Sequence, residues 1–249
     1  MAWSRVSPGV LWSHNDSDHG AILYAMDTLG NLLGTVPLRG AVNRDWEDIS
    51  TGPCPAGFCL YVGDIGDNGE VRDRVTLYRV EDTGSFDGTP RRAEAFPMVL
   101  PDGPRDMEAL FVLPGEELYF ITKGRNHPVT VYRYPPPLRA GETVTLEEVQ
   151  TLTEGAVSIP SQVTGADATP DGWLVAVRTY ESLTFYRMSR GRLVPLRGGR
   201  VDLRTLGEAQ GEAVGIGPDG LVALTSEAGF LGRGAVLNIL ECGILQAPD

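Results

Sequence analysis

The chain has no run of 18 apolar residues, so no segment reads as a membrane-spanning helix. It has no sustained helical period. It has no Gly-x-Ser-x-Gly elbow, no phosphate-cradling glycine loop and no histidine-rich metal triad, which removes the commonest signatures of serine hydrolases, nucleotide enzymes and zinc hydrolases. Basic residues are few: 21 Lys and Arg stand against 33 Asp and Glu, a net charge of −12. Such a surface argues against a nucleic-acid backbone as partner. It fits cation binding, and equally mere solubility. Histidines number three and cysteines three. The first residues, Met1-Ala2-Trp3, show no basic region and no apolar stretch, so they do not read as a signal peptide.

What the chain has in quantity is turn residues and a repeat. Its 31 Gly and 18 Pro sit mostly between apolar segments, as tight turns require. One phrase recurs as Glu-Asp-Ile…Pro at 47–53, Glu-Ala-Leu…Pro at 108–114, Thr-Gly-Ala…Pro at 164–170 and Glu-Ala-Val…Pro at 212–218. An apolar strand follows each copy: Leu60-Tyr61-Val62, Leu118-Tyr119-Phe120, Leu174-Val175-Ala176 and Leu221-Val222-Ala223. A further strand carries Leu77-Tyr78-Arg79, Val131-Tyr132-Arg133 or Phe185-Tyr186-Arg187. Repeats of roughly 45–60 residues built from short strands predict a β-propeller.

The expected fold is all-β: a five-bladed β-propeller of four-stranded antiparallel blades around a central tunnel, in one domain over 1–249. The blades fall at about 1–40, 41–101, 102–155, 156–205 and 206–249. Blade one takes its inner strand from 2–7. Blade two takes its outer strand from 92–100. In blade three, Thr143–Leu152 alternates well enough to be one outer strand. Pro170-Asp171-Gly172 and Pro218-Asp219-Gly220 are corresponding turns. The last unit is short of an outer strand, so one terminus is expected to complete the other's sheet; closure removes exposed edges.

Inner strands line a propeller's tunnel, so equivalent positions converge there. Registering the repeats on their prolines places Glu47, Glu108, Thr164 and Glu212 in one ring. Asp45 and Asp106 lie two residues earlier, on the same strand face as Glu47 and Glu108. Three carboxylates at one level repel unless protons or a cation intervene. Calcium, a hard ion taking several oxygen ligands in flexible geometry, is the natural cofactor. The other reading is that these glutamates cap strand ends.

A second ring comes from the ends of the second strands: Asn15, Asp64, Thr122, Arg178 and Thr225, with Asp16, Lys123 and Thr179 one step further. The segments Ser13–Asp18 and Gly63–Asn68 are rich in oxygen, though neither matches the twelve-residue calcium loop; turn formation explains them as well. Asn15, Asp64, Lys123 and Arg178 are candidate ligand-binding residues. Lys123 and Arg178 either hold an anionic group or neutralise the acidic tunnel. His14 is a candidate base, beside Glu108 and Glu212 as further catalytic candidates; His127 reads as a hairpin tip and His19 as loop. Arg72, Arg74, Arg79, Arg91 and Arg92 read as solvent-facing.

Cys54 and Cys59 have four residues between them in a Pro- and Gly-rich hairpin, a spacing compatible with a disulfide and hence an oxidising compartment; two reduced loop cysteines are the alternative. A zinc site is disfavoured because no second pair follows. Cys242 has no evident partner. The expected location is secreted or periplasmic. In that case a leader lies outside this chain; otherwise the protein is cytosolic and the bond absent.

Asp45-Trp46-Glu47-Asp48-Ile49 followed by Leu60-Tyr61-Val62-Gly63-Asp64-Ile65-Gly66-Asp67-Asn68 resembles a group of secreted bacterial β-propeller proteins with no agreed activity. Leu11-Trp12-Ser13-His14-Asn15-Asp16-Ser17 resembles their first-blade phrase, and Cys54/Cys59 their hairpin pair. The chain departs from them at Trp3-Ser4-Arg5-Val6, where their inner strand reads Ser-Gly-Leu. More distantly the layout is similar to esterase-like phytases and gluconolactonase-type propellers, which implies calcium in the tunnel and hydrolysis of phosphate esters or lactones.

Three functions follow. One is a propeller that binds calcium and presents a small-molecule or protein ligand site at the tunnel mouth. The second is a metal-assisted hydrolase of an ester, lactone or phosphate ester. The third is a structural module of a larger envelope protein. A monomer is expected.

Overall fold

The computed structural model describes residues 1–17, 19–228 and 234–245. Five sheets follow one another along the chain. Blade one holds β1 (Ala2–Trp3), β2 (Leu11–His14), β3 (Ile22–Met26) and β4 (Leu32–Arg39). The next stretch supplies β5 (Trp46–Cys54), β6 (Gly57–Asp64), β7 (Val75–Glu81), β8 (Arg91–Arg92) and β9 (Glu94–Val99). Then come β10 (Met107–Leu113), β11 (Glu117–Thr122), β12 (Thr130–Arg133), β13 (Val144–Thr145) and β14 (Glu147–Thr151). Blade four is β15 (Val163–Ala168), β16 (Leu174–Thr179), β17 (Ser182–Ser189) and β18 (Arg192–Asp202). Blade five is β19 (Gln210–Ile216), β20 (Leu221–Glu227) and β21 (Val236–Glu241). The protein is a five-bladed β-propeller. None of the described helices is long and apolar enough to cross a membrane.

Period-two alternation explains why the blades stack. Leu60 and Val62 on β6 face blade one, while Tyr61 between them faces blade three. Each blade is therefore apolar on both faces, and an apolar cluster fills every seam between neighbours. Each fully buried Leu, Val or Phe there contributes roughly 1.5–3 kcal/mol of transfer free energy. The Cys54–Cys59 disulfide is formed and clips the β5–β6 hairpin, with its Cα atoms 5.8 Å apart; Cys242 is free.

Several strand expectations need correction. The inner strand of blade one is Ala2–Trp3, not 2–7. Ser4 ends it: its Oγ accepts the N–H groups of Val6 (3.2 Å) and Ser7 (2.9 Å), turning the chain out of the sheet. The segment Thr143–Leu152 is two strands. Val144–Thr145 pairs in parallel with β9 of the preceding blade, and the chain crosses at buried Leu146 before β14 joins β12. Arg91–Arg92 likewise leaves the blade-two outer strand to pair in parallel with β4. These crossovers cover two outer edges with hydrogen-bonded strand, one remedy for edge exposure.

The ring also closes differently from the expected strand exchange. Among the described residues blade five has three strands, and β1 pairs with β2 in its own blade. Trp3 makes the join instead. Its Nε1 donates to the Gly215 carbonyl at 3.1 Å, and its indole lies over Gly217, where any Cβ would come within 2.5 Å of the ring. Arg5 adds a hydrogen bond to the Ile216 carbonyl (3.2 Å).

Candidate metal and ligand site at the tunnel mouth

Four inner strands carry a β-bulge at the same register. On β5 the pairing jumps from Trp46↔Asp64 to Asp48↔Gly63, leaving Glu47 unpaired. The skips on β10, β15 and β19 fall on Glu108, Thr164 and Glu212. These are the four residues that the proline registration aligns. A bulge adds one residue to a strand and re-aims its side chain, and such devices gather at active and binding sites. Glu47, Glu108 and Glu212 line one cavity of about 800 Å³. Thr164 is buried, and its hydroxyl has no hydrogen-bond partner among the described residues.

Glu47 sits between two acidic groups. Its carboxylate lies with those of Asp16 and Asp45, and with those of Asp106 and Glu108, so that in each trio the oxygens fall within 4.8 Å of one another. Burial raises the Glu47 pKa well above the ordinary carboxylate range, and the charges of Glu108, Asp45 and Asp16 add to it. Burial, with Asp16 and Asp106 adding, pushes Asp45 up to about 6; burial pushes Glu212 up to about 7. Glu108 is raised by burial against the pull of Lys123, whose Nζ lies 2.5 Å away. Burial pulls Lys123 down, but Glu108 more than reverses this, so the ammonium keeps its proton.

Two further observations fit a cation here. Gly66 passes so close that an added Cβ would lie 2.6 Å from the Asp45 carboxyl carbon and closer still to a Glu47 oxygen, so only glycine leaves these carboxylates their positions. Asp106 Oδ1 accepts the Asp67 N–H (2.9 Å), while its buried Oδ2 makes no hydrogen bond among the described residues, where Arg125 pairs with it at 3.9 Å.

The second ring divides. Asn15, Asp16, Lys123 and Thr225 line the cavity. Asp64 does not: it accepts the Asp45 N–H (2.8 Å) and forms a buried ion pair with Arg72 (3.0 Å). Arg178 is fully buried, paired with Glu208 and donating to the carbonyls of Ala213 (2.7 Å) and Thr225 (3.1 Å). Both spend their charge inside the wall. Thr122 donates to the Pro128 carbonyl (3.3 Å), and Thr179 Oγ1 accepts the N–H of Ser182 at the start of β17 (3.0 Å). Arg72 corrects an expectation, since it is buried, not solvent-facing; Arg79 is largely covered as well, bridging Glu94 and Glu116.

His14 lines the cavity, its ring edge-on to Trp46 with centroids 5.8 Å apart. Burial lowers its pKa to about 4, so it is a neutral, weak base at physiological pH. His127 pairs with Glu70 (3.3 Å), and exposed His19 contacts the Ser17 carbonyl (2.8 Å). Asp18 of the first oxygen-rich segment lies outside the described residues.

Other contributors escaped sequence reasoning. The Asn43 amide donates to the carbonyls of Asn15 (3.0 Å) and Asp16 (2.8 Å), holding that loop over Glu47. Below the cavity, Asp48 Oδ2 accepts the N–H groups of Leu110 (3.0 Å) and Ala166 (3.1 Å), and Oδ1 that of Ile49 (2.9 Å). Asp167 accepts from Ile216 N (2.8 Å) and Ser50 Oγ (2.9 Å). Together they tie the inner strands of four blades across the axis. Burial pushes Asp48 up to about 7 and raises Asp167. Asp48 adjoins Glu47 in the repeated phrase, a signal that alternation alone assigns to the opposite face.

The fold and site together define a β-propeller with an acidic cavity at one tunnel mouth. No family model and no curated protein sequence matches the chain. Among solved structures it is similar to the allergen Mala s 1 of Malassezia sympodialis (11% identity, TM-score 0.53, covering 98% of this chain and 79% of that one). It is also similar to the PQQ-bound aldose sugar dehydrogenase of Streptomyces coelicolor (12%, 0.50, 94% and 92%). A gluconolactonase-type propeller, the periplasmic PpgL of Pseudomonas aeruginosa, matches at 16% identity and TM-score 0.49 over 96% and 68%. At such identities the likeness concerns the fold, and one fold hosts many chemistries.

Proposed function

We propose that the protein binds a divalent cation, calcium, at the acidic tunnel mouth and uses the surrounding cavity to hold a ligand. The observation that carries this reading is the fourfold bulge, which turns Glu47, Glu108 and Glu212 toward one space beside Asp45 and Asp106. Glu47, flanked by Asp16, Asp45, Asp106 and Glu108, supplies the hard oxygen ligands that calcium prefers. The close passage of Gly66 supports it. A bound calcium ion would offset the mutual repulsion of these carboxylates and polarise a ligand oxygen. A secreted or periplasmic setting is proposed with it, on the strength of the Cys54–Cys59 disulfide.

The second reading is metal-assisted hydrolysis of an ester, lactone or phosphate ester. One observation favours it: Glu212, raised to about 7 by burial, suits the acceptance of a proton from water near neutral pH. The test is thermal unfolding of the full chain with calcium and with chelator, followed by a screen of the three substrate classes. Calcium is expected to raise Tm. No rise removes the metal from both readings, and a rise without turnover on any class leaves binding. If turnover is found, Glu212→Gln should abolish it while keeping the calcium-induced rise; retained turnover removes Glu212 as the base.

A further inference from the structure

Blade four breaks the charge balance that its neighbours keep. Between 187 and 204 it carries Arg187, Arg190, Arg192, Arg197, Arg200 and Arg204 against Asp202 alone, in a chain whose net charge is −12. The repeat supplies an internal control. Arg79 of blade two stands opposite Glu94 on the outer strand and pairs with it at 2.7 Å. Arg133 of blade three stands opposite Glu147 and pairs with it at 2.6 Å. Their counterpart Arg187 stands opposite Val194, which is 40% exposed. Its guanidinium lies instead over the ring of Trp173, 5.6 Å from the centroid. Trp173 comes one place before the aligned Leu174, where blade three has Glu117. It is 56% exposed, while Trp3, Trp12 and Trp46 are buried. Two positions thus exchange a carboxylate for an exposed apolar group. Arg192 lies two residues from Val194 on β18, so it shares the face of Val194 and Arg187. Arg190 stands at φ 52° in the two-residue turn joining β17 to β18, where Asn or Gly is the ordinary choice. Among the described residues Arg190, Arg192 and Arg197 form no ion pair, whereas Arg204 pairs with Asp202.

Protection of an edge accounts for charge and proline on an outer strand, and this edge is blunted. The Gln150 amide donates to the Leu193 carbonyl (3.0 Å) and accepts the Leu193 N–H (2.9 Å), and Pro195 offers no N–H. A peptide strand is therefore poorly received here. Edge protection explains neither the exposed indole nor Val194 opposite an arginine. An indole beside unpaired arginines suits the headgroup level of an anionic bilayer, with the ring in the interface and the guanidinium groups on phosphate. We infer that this strip of blade four docks the protein on an anionic phospholipid surface. The strip lies away from the acidic mouth. Trp173 precedes β16, and Tyr180, past its other end, lines the cavity; the strand between them spans about 20 Å. Docking there keeps the mouth carboxylates off a surface of like charge. The inference is independent of the calcium and hydrolase readings.

The experiment is flotation of the full chain, in chelator, with vesicles of pure phosphatidylcholine and with vesicles of phosphatidylcholine and phosphatidylglycerol in equal parts. Binding is expected on the anionic vesicles only. It should weaken as salt rises and shift the Trp173 emission to the blue. Replacing Arg190, Arg192 and Arg197 together by Gln should weaken binding by about 100-fold, about fivefold for each charge. Trp173→Ala should weaken it and remove the emission shift. Gln at Arg39, Arg44 and Arg74, which are exposed in blades one and two, is the control for net charge and should bind as the unsubstituted protein does. No binding to the anionic vesicles overturns the inference. So does an equal loss in the two triple variants, which would make the attraction a property of the whole surface. Arginine-dependent capture on dextran sulfate without vesicle binding also overturns it, and gives the strip to a soluble polyanion.

Discussion

Gly66→Ala is the sharpest test of the metal site because Gly66 is not itself a ligand. Its φ lies outside the left-handed region, so alanine suits the backbone. The new methyl would sit 2.6 Å from both Cγ and Oδ2 of Asp45 and nearer still to Oε1 of Glu47. Ordinary contact needs about 3.5 Å or more, so both carboxylates must retreat by about 1 Å. They are the far ends of flexible side chains, and the metal-free fold should lose only ~1 kcal/mol. The cation should feel far more. Displacing the groups that orient a metal site typically costs about 10–100-fold in affinity, or ~1.4–2.8 kcal/mol. Calcium titration by calorimetry reads this directly. Gly69→Ala is the control, since its methyl would meet nothing closer than Val71 at 3.6 Å, and it should bind calcium as before. A folded Gly66→Ala protein with undiminished calcium affinity would refute the assignment of Glu47 and Asp45 as ligands.

The metal-free protein should lose stability as pH rises. Asp45 and Glu212 hold their protons more tightly folded than unfolded, with pKa values raised to about 6 and about 7. Their stabilising protonation is therefore complete below the ordinary carboxylate range and lost as pH climbs to about 7; calcium should restore what is lost. The calcium-induced rise in Tm should accordingly be larger at pH 8 than at pH 5, and an equal or opposite dependence contradicts the carboxylate pole. Across the tunnel axis, Asp48→Ala strands the amides of Ile49, Leu110 and Ala166. At ~1–3 kcal/mol for each of the three buried donors left unpaired, the loss should reach ~3–9 kcal/mol. Asp48→Asn keeps an acceptor oxygen and should lose less than half of that. Urea unfolding compares them, and an alanine variant as stable as the asparagine one would show that the inner strands are held by something else.

Much of the architecture was readable from the chain alone. Side-chain alternation and turn chemistry are local properties, so Leu60-Tyr61-Val62 and its three counterparts marked second strands, and the recurring prolines brought Glu47, Glu108, Thr164 and Glu212 to one level. The Cys54–Cys59 clip was readable for the same reason: its partners share one hairpin. The bulges themselves were not, because an unpaired residue looks like any other in a strand until the partner strand's register is known. Nor were the crossovers at Arg91–Arg92 and Val144–Thr145, where a short segment chooses between two available edges.

What only the tertiary structure decided is where each charge is spent. Asp64 and Lys123 end neighbouring second strands, yet one is consumed by Arg72 within the wall and the other faces the cavity paired with Glu108. Asp48 reaches the amide of Ala166, 118 residues away, and the Leu29 turn comes to share a cavity with Glu212. Such pairings depend on which blades the closing ring sets side by side, and a one-dimensional pattern holds no record of distances across an axis. The chain therefore specified the blades and the level of the acidic ring; folding determined which of its carboxylates remained unneutralised.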